Sequence, residues 1–345
     1  MKLRRPWLMP LVPLYAAGLA WKNRAFDRDP ARAQRLADPV ISVGSLSAGG
    51  AGKTPFVIAL GEALRRAGYG IDVLSRGHGR TSTLDLRVDP YGSVNDFGDE
   101  PLLLARQLAC PVYVARERYR AGQMAERDRR VLRADRHLSL HLLDDGFQHR
   151  QLQRAVDIVL LTAEDAADTL LPAGNLREPL RALRRADVIA LRHEEADGLQ
   201  PLLQRVLGNA PAVKVWTLER RTAVTSGAAT QRPFAFCGLA RPADVLTTLA
   251  KRGISIAGHA ALRDHQRYSP DVIQTLIHKA QAVSADGFIT TAKDAVKLTD
   301  DMRRQLQTVG PLAVCDVVVT LADEAQCVRD VMGLVEAGWQ RRLQP

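Results

Sequence analysis

The sequence from Val40 to Phe56, VISVGSLSAGGAGKTPF, decides the fold of the first half of the chain. It opens on a short apolar, β-branched run that predicts a buried strand. From Pro55 to Arg66 apolar residues recur at helical spacing, which predicts a helix. Between them lies a glycine-bearing loop that ends in Gly52, Lys53 and Thr54. A strand, a glycine loop and a helix in this order are the setting of a phosphate-binding loop.

The loop residues suit a nucleotide with a bound metal. Glycines let backbone N–H groups turn towards phosphate oxygens, Lys53 is expected to reach the β- and γ-phosphates, and the Thr54 hydroxyl is expected to ligate Mg²⁺. The usual first glycine is replaced by Ser47, a small residue that can also begin the turn. The alternative is an ordinary strand-to-helix turn. The predicted nucleotide-binding residues are Ser47, Ala48, Gly49, Gly50, Ala51, Gly52, Lys53 and Thr54.

Alternating strand and helix patterns follow this loop along the chain, which is 345 residues long and therefore predicts two domains. The alternation predicts a mostly parallel sheet with helices on both faces. A second α/β unit is predicted to begin near residue 211, with the polar stretch Glu219–Arg232 as a connector. Its predicted elements include a helix over Pro242–Lys251 and a strand over Ile254–Ile256. Ligands are expected at the carboxyl ends of the strands.

The formal net charge of +10 does not indicate a nucleic-acid-binding protein. Arginines are spread along the chain without an aromatic-basic cluster, so no nucleic-acid partner is predicted. The surplus charge instead favours acidic membrane lipids or a phosphorylated substrate. The four cysteines lie far apart without a C-x-x-C pair, which argues against a zinc site and a disulfide framework.

The uncharged stretch Trp7–Trp21, WLMPLVPLYAAGLAW, has basic residues on both sides. As a helix it covers roughly 22 Å, which is short of a hydrocarbon core of about 30 Å, and its two prolines weaken a spanning helix. We therefore expect an uncleaved segment that lies in one leaflet, with its aromatic residues near the headgroups. A cleaved signal peptide and a core helix of the first domain are the alternatives.

Candidate catalytic residues lie in loops after the predicted strands. Asp144 and Asp145 follow the apolar run Leu138–Leu143, where an acid holds Mg²⁺ in phosphate-loop proteins, and a solvated turn is the alternative. Gln148 and His149 come next, in a dense polar segment. Four further candidates come from loops with simpler alternatives, helix capping for the acids and a solvated position for the histidine: Asp99, Arg177, Glu178 and His265.

These motifs resemble those of the tetraacyldisaccharide 4′-kinases, the lipid A 4′-kinases of Gram-negative bacteria. The resemblance covers almost the whole chain and is carried by SAGGAGKTP, SRGHGR, GDEP, LDDGFQHRQLQRAVDIVLL, LPAGNLREPL, DHQRYSP and TAKDAVKL, in family order. LDDGFQHR and LPAGNLREPL are much more specific than a general nucleotide loop. The family also has serine at the position of Ser47.

The resemblance implies an ATP- and Mg²⁺-dependent kinase that phosphorylates the 4′-hydroxyl of a tetraacylated glucosamine disaccharide 1-phosphate to give lipid IV-A. It implies two α/β/α sandwich domains around a cleft, the first with the parallel sheet of P-loop NTPases. The expected division is a membrane-associated helix at 1–25, a kinase domain at 26–210 and a second domain at 211–345. We expect a monomer on the cytoplasmic face of the inner membrane, in contact with its lipids.

The resemblance also implies roles for the site residues. Asp99 matches the proposed catalytic base and His265 its partner from the second domain, while Lys53 and Glu178 match further catalytic positions. Thr54, Asp144 and Asp145 belong to the expected Mg²⁺ site, and Gln148, His149 and Arg177 match other active-site positions. The chain departs from the family pattern at Ala292, where glutamate is usual, and at Gln266, where a second histidine is frequent.

Two other function classes fit parts of the sequence. A membrane-bound ATPase switch would use the same loop and N-terminal segment, but it would hydrolyse ATP and release only inorganic phosphate, without a phosphorylated substrate. A catalytically inactive nucleotide-binding scaffold is opposed by the intact Lys53, Thr54, Asp144 and Asp145.

Overall fold

The computed structural model describes residues 5–48, 51–132, 138–208, 213–226, 230–238, 246, 249–250, 253–263 and 266–343. Their strands are β1 (Val40–Ser45), β2 (Gly70–Ser75), β3 (Leu86–Arg87), β4 (Val112–Val114), β5 (Ser139–Asp144), β6 (Val156–Leu161), β7 (Val188–Arg192), β8 (Lys214–Ser226), β9 (Phe234–Cys237), β10 (Gly258–Ala261), β11 (Phe288–Thr291) and β12 (Leu312–Leu321). They form one 12-stranded sheet in the order β10-β9-β11-β12-β8-β7-β6-β1-β5-β2-β4-β3.

Helices cover both faces of this sheet. Within the described residues the α-helices are α1 (Val12–Arg28), α2 (Lys53–Arg66), α3 (Val94–Phe97), α4 (Asp99–Gln107), α5 (Arg118–Leu132), α6 (Ala163–Ala166), α7 (His193–Leu207), α8 (Pro270–Ala282), α9 (Ala292–Ala295), α10 (Asp300–Leu306) and α11 (Glu324–Leu343). Short 3₁₀ helices span Pro6–Leu11, Pro30–Arg32 and Leu180–Arg185. The observed architecture therefore confirms the predicted α/β class with its mostly parallel sheet.

The first half is centred on β1, which is buried at every residue and lies between β5 and β6. Helix α2 packs on one face through Phe56, Leu60 and Leu64, in one apolar core with α4 and α11. Helix α5 covers the opposite face. In the sheet, β2, β4 and β5 lie on one side of β1, and β6 and β7 lie on the other. The carboxyl end of β1 is therefore a topological switch point, the place where open α/β sheets bind their ligands.

The second half joins the first through backbone pairing. Strand β8 pairs in parallel with β7 and antiparallel with β12, which continues to β11, β9 and β10. The predicted connector Glu219–Arg232 was therefore wrong over residues 219–226, which continue β8. Thr222 is buried there while its neighbours on both sides are more exposed, so the polar composition reflects a strand with one covered face.

One other element of the second half differs from its prediction, and another lies mostly outside the described residues. A strand was expected over Ile254–Ile256, but that stretch has no regular structure and the strand lies at β10. A helix was expected over Pro242–Lys251, most of which lies outside the described residues. Helix α11 returns to the first half, where Glu324 and Arg66 form an ion pair at 2.6 Å.

The N-terminal segment forms the 3₁₀ helix Pro6–Leu11 followed by α1, neither of which contains a buried residue. Trp7, Leu14 and Trp21 are 75%, 73% and 81% exposed. Among the described helices, none is both long enough and apolar enough to cross a bilayer.

Candidate active site

The phosphate loop connects β1 to α2 as the sequence predicts. Gly52 caps α2 with a φ of +83°, a left-handed backbone that favours glycine, and Lys53 begins the helix. The Lys53 ammonium lies 3.3 Å from the Ser45 hydroxyl oxygen, and that hydroxyl donates to the Ser47 carbonyl at 2.9 Å. The lysine side chain is therefore directed back over the carboxyl end of β1. Gly49 and Gly50 lie outside the described residues.

Asp145 brings two cations together beside this loop. The Arg177 guanidinium donates to both carboxylate oxygens, at 2.7 and 2.8 Å, and the Lys53 ammonium lies 3.4 Å from one of them. These cations hold the pKa of Asp145 well below its usual range, against the opposite effect of burial. The backbone of Asp145 has a φ of +50°, which is uncommon outside glycine. A strained position that gathers two cations is typical of a functional site.

The segment around Arg177 is held against the phosphate loop by backbone contacts. Ala48 N–H donates to the Asn175 carbonyl at 3.0 Å, and Arg177 N–H donates to the Leu46 carbonyl at 2.7 Å. Ser47 and Leu176 form an antiparallel bridge between these two bonds. The LPAGNLREPL motif therefore forms one wall of the loop, a relation that the sequence order alone does not reveal.

Asp144 ends β5 and is buried directly beside Asp145. Burial, together with the charges of Glu100 and Asp145, raises the pKa of Asp144 to about 7. The Ser75 hydroxyl lies 3.5 Å from one of its carboxylate oxygens. A buried carboxyl group among other acids suits a cation, since a bound cation would favour the ionised form.

Asp99 is the first residue of α4 and is 6% exposed. Its Oδ1 accepts from the Glu100 N–H at 3.0 Å, so it does contribute at the helix start. Its Oδ2 lies 3.9 Å from the ammonium of Lys297, which the sequence analysis did not single out. The neighbouring Glu100 meets Lys293 at 3.4 Å, so the second half contacts both acids. His265 lies outside the described residues.

Gln148 and His149 lie in the turn that follows the two acids. The Gln148 amide donates to the Ser45 carbonyl at 3.0 Å, which ties this turn to β1. A Cβ on Gly44 would stand 2.5 Å from the Phe147 Cβ, so a glycine in β1 permits the close approach. Burial, together with nearby arginines, lowers the pKa of His149 to about 4, so its imidazole is neutral at pH 7.

Glu178 lies behind Arg177 and faces another arginine. Its Oε2 accepts from Arg185 at 2.6 Å, and that guanidinium stacks 4.7 Å from the centroid of the Phe147 ring. Burial raises the pKa of Glu178, while Arg185 and Arg150 oppose the effect. Among the described residues, Glu178 pairs with Arg185, and this pair packs against Phe147 at the wall of the site.

Arg118, the first residue of α5, is a cation of this site that the sequence analysis missed. Burial lowers its pKa, and the nearby charges of Asp145 and Asp144 act in the opposite direction. Its Nε is buried without a hydrogen-bond partner in the part of the chain that the structure describes. The available signal was an arginine that begins the helix after strand β4, as Lys53 begins the helix after β1.

Comparison with known proteins agrees with the motifs. The family model of LpxK, described as tetraacyldisaccharide-1-P 4′-kinase, matches residues 4–336. The tetraacyldisaccharide 4′-kinase of Koribacter versatilis is 39% identical over 335 residues, covering 95% of this chain and 98% of the relative. The tetraacyldisaccharide 4′-kinase of Neisseria gonorrhoeae is 35% identical over 319 residues, covering 90% of this chain and 87% of the relative.

A solved structure is similar over the same extent. The crystal structure of the "apo" form of LpxK from Aquifex aeolicus in complex with ATP superposes with a TM-score of 0.71 and 29% identity. The match covers 95% of this chain and 98% of that one. The chain belongs to the LpxK family of tetraacyldisaccharide-1-P 4′-kinases.

Proposed function

We propose that the chain transfers the γ-phosphoryl group of ATP to the 4′-hydroxyl of a tetraacylated glucosamine disaccharide 1-phosphate, giving lipid IV-A. Its family supports the kinase reaction and a lipid A precursor as substrate. The observation that carries the proposal is the meeting of Lys53, Asp145 and Arg177 at the carboxyl end of β1. Two cations and a helix N-terminus there match the charge of a nucleotide triphosphate.

ATP binds with its phosphates over the loop 47–54. When ATP binds, the Lys53 ammonium exchanges the Asp145 carboxylate for the β- and γ-phosphates, because the carboxylate and the phosphates are both anions. Arg177 and Arg118 add positive charge around the transferred group, where charge spreads in the transition state. Gln148 and His149 hold the turn that carries the two acids.

The oxygen donors of the site fit Mg²⁺. Thr54, Asp144 and Asp145 would hold it, and Asp144 offers a buried carboxyl group whose ionised form lacks a close cationic partner among its described contacts. When bound, Mg²⁺ neutralises phosphate charge during transfer. The protein groups contribute the orientation of the phosphates and the exclusion of water.

Asp99 accepts the proton of the sugar hydroxyl as the general base, with His265 as its partner. Aspartate is the acceptor that protein kinases use for the same step. The location of Asp99 at the start of α4, against residues of the second half, supports this role. Glu178 contributes through Arg185 by keeping the Arg177 wall in place.

The chain works as a monomer on the cytoplasmic face of the inner membrane. The exposed Trp7, Leu14 and Trp21 of the N-terminal segment support attachment to one leaflet. Region 1–25 is the membrane segment, 26–210 the kinase domain and 211–345 a second domain that closes over the acceptor. The attachment brings the phosphate loop to the lipid substrate.

Incubation with γ-labelled ATP and the tetraacyl disaccharide 1-phosphate, followed by chromatography of the lipid, tests the proposal. We expect label in the lipid that depends on both substrates and disappears in Lys53→Ala. Release of labelled inorganic phosphate at a rate that ignores the lipid would instead support the membrane-bound ATPase switch.

A further inference from the structure

A buried network connects the second half of the sheet to Asp99. Its centre is Asp294 in α9, whose side chain is completely buried. The two carboxylate oxygens accept from four donors on three segments: the Thr291 hydroxyl at 2.7 Å and the Lys297 ammonium at 3.0 Å from its own stretch, the Gly238 N–H at 2.9 Å and the Tyr268 hydroxyl at 2.9 Å. A buried carboxylate with this many donors is firmly oriented.

The ammonium of Lys297 is fixed between two acids. It lies 3.0 Å from Asp294 Oδ1 and 3.9 Å from Asp99 Oδ2, and only 4% of the side chain is exposed. The ring of Tyr268 lies 5.6 Å away on another side. A lysine is almost never buried unless its charge is paired, so both acids bear on its position.

The other acid of this pair belongs to the first half of the chain. Asp294 is held by three donors besides Lys297, so it acts as a fixed anchor for the ammonium. Asp99 begins α4, where its Oδ1 accepts from the Glu100 N–H and its Oδ2 lies beside the Lys297 ammonium. A cation held at a fixed point beside Oδ2 favours one rotamer and the ionised form of the carboxylate.

We propose that Lys297 is a positioning residue for Asp99, holding the carboxylate ionised and oriented for proton transfer from the substrate hydroxyl. The inference rests on the proposed role of Asp99 as the base. Lys297 moves no proton and does not touch the nucleotide. Lys297 can act only when the second half of the sheet is in contact with α4. The orientation of Asp99 therefore depends on that contact.

Lys293, four residues before Lys297 and within α9, offers a matched control. Its ammonium lies 3.4 Å from Glu100 Oε1, so it also crosses from the second half to α4. The pair is more exposed, with 18% and 31% of the two side chains accessible, and is therefore more strongly screened by solvent. Lys293→Met removes one inter-half ion pair without removing the ammonium beside Asp99 Oδ2.

The test measures kcat and KM for ATP in Lys297→Met and Lys293→Met. General-base catalysis is worth about 10²- to 10⁴-fold, so loss of its positioning should lower kcat about 10-fold or more in Lys297→Met. The KM for ATP should stay within about threefold, since the change acts on transition-state stabilisation. Lys293→Met should keep kcat within about threefold of the parent. Equal kcat values in the two variants would overturn the inference.

Repeating Lys297→Met in an Asp99→Asn background separates positioning from a general structural effect. Residues that act as a unit are non-additive, so the double variant should be no slower than Asp99→Asn alone. Multiplicative losses would overturn the inference. If Lys297→Met fails to fold, Lys297→Arg replaces it: its smaller kcat loss should also vanish in the Asp99→Asn background. An Asp99→Asn enzyme with near-parent kcat would contradict the proposed base, whereas a slow Asp99→Asn with a normal Lys297→Met contradicts only the positioning role.

Discussion

Lys53 has two oxygen partners in the structure, the Ser45 hydroxyl at 3.3 Å and Asp145 at 3.4 Å. Lys53→Ala removes the charge that would face the β- and γ-phosphates and leaves Asp145 to Arg177. Loss of one main electrostatic stabiliser lowers kcat by roughly 10³-fold. We expect a decrease of this size in the initial rate of lipid phosphorylation by Lys53→Ala. Thr54→Ala should also lower the rate and raise the Mg²⁺ concentration needed. Lys279→Ala, an exposed position on α8, is the control. Rates within about threefold of the parent in both loop variants would contradict the site.

His141 makes stability depend on pH at a distance from the site. Burial alone would lower its pKa, but Asp72, which lies 2.6 Å from Nδ1, and Glu126 raise it from 6.5 to about 9. Its protonated form therefore stabilises the fold fully below pH 6.5, and this contribution is lost as pH rises through about 9.

Chemical unfolding between pH 6 and 10 measures this effect. The free-energy difference between the parent and His141→Gln should shrink as pH rises, because the parent loses the imidazolium contribution. His193→Gln, at an exposed position, should follow the parent throughout. A difference between the parent and His141→Gln that stays constant across this range would show that His141 is not charged in the fold.

Residues of the phosphate loop could be predicted from sequence because their spacing is local. Lys53 and Thr54 follow a strand and begin a helix, and Asp145 follows a second strand whose end lies beside the first. Lys297 and Arg118 could not be found in this way. Each reaches the site through the packing of a separate element, and an arginine at a helix start or a lysine just after a helix end is ordinary in any sequence.

Helix α1 has both an exposed apolar surface and specific contacts with the site wall. The Tyr15 hydroxyl donates to the Arg177 carbonyl at 3.0 Å, and Arg150 pairs with Asp27 at 2.7 Å. The segment therefore contacts the wall of the site, in addition to its proposed attachment to a membrane. The sequence predicted the exposed surface from its uncharged length, but the Tyr15 contact depends on how the helix lies against the body.

The proposed membrane attachment of the N-terminal segment and the Tyr15 contact of α1 can be separated by mutation. Replacing Trp7, Leu14 and Trp21 by glutamine removes apolar surface whose burial is worth about 1.5–3 kcal/mol per side chain. The partition coefficient of the protein onto anionic vesicles, measured by flotation, should therefore fall about 100-fold or more. Activity on detergent-dispersed lipid should be retained. Deleting residues 1–25 should lower that activity as well, because the Tyr15 contact with Arg177 is lost. A mature protein that begins near Trp21 in cells would contradict the membrane role and support a cleaved signal peptide.

Strand β8 shows why element boundaries are harder to predict than element types. The alternation of strands and helices in both halves was confirmed, but residues 219–226 carry charged and hydroxyl side chains that resemble a loop. Pairing with β12, which lies about a hundred residues later in the chain, makes them a strand. That partner is not visible in the local pattern.

At the scale of the whole molecule, the continuous sheet and α11 join the nucleotide site to residues that bear on the base. Pairing of β8 with β12 holds the halves together, while Lys293 and Lys297 contact the start of α4. In the proposed mechanism the nucleotide lies on the first half, and the orientation of Asp99 depends on the second. This division suits a kinase that must keep water from the phosphoryl group until the lipid hydroxyl is in place.

The central claim, phosphorylation of the lipid 4′-hydroxyl, is tested most directly by the position of the new phosphate. The protein is incubated with ATP, Mg²⁺ and the tetraacyl disaccharide 1-phosphate, and the purified lipid is examined by ³¹P and ¹H NMR. We predict one new phosphomonoester coupled to the proton at the 4′ carbon, with the original 1-phosphate unchanged, and no such product from Lys53→Ala. A phosphate at another position, a diphosphate at position 1, or inorganic phosphate as the sole product would contradict it.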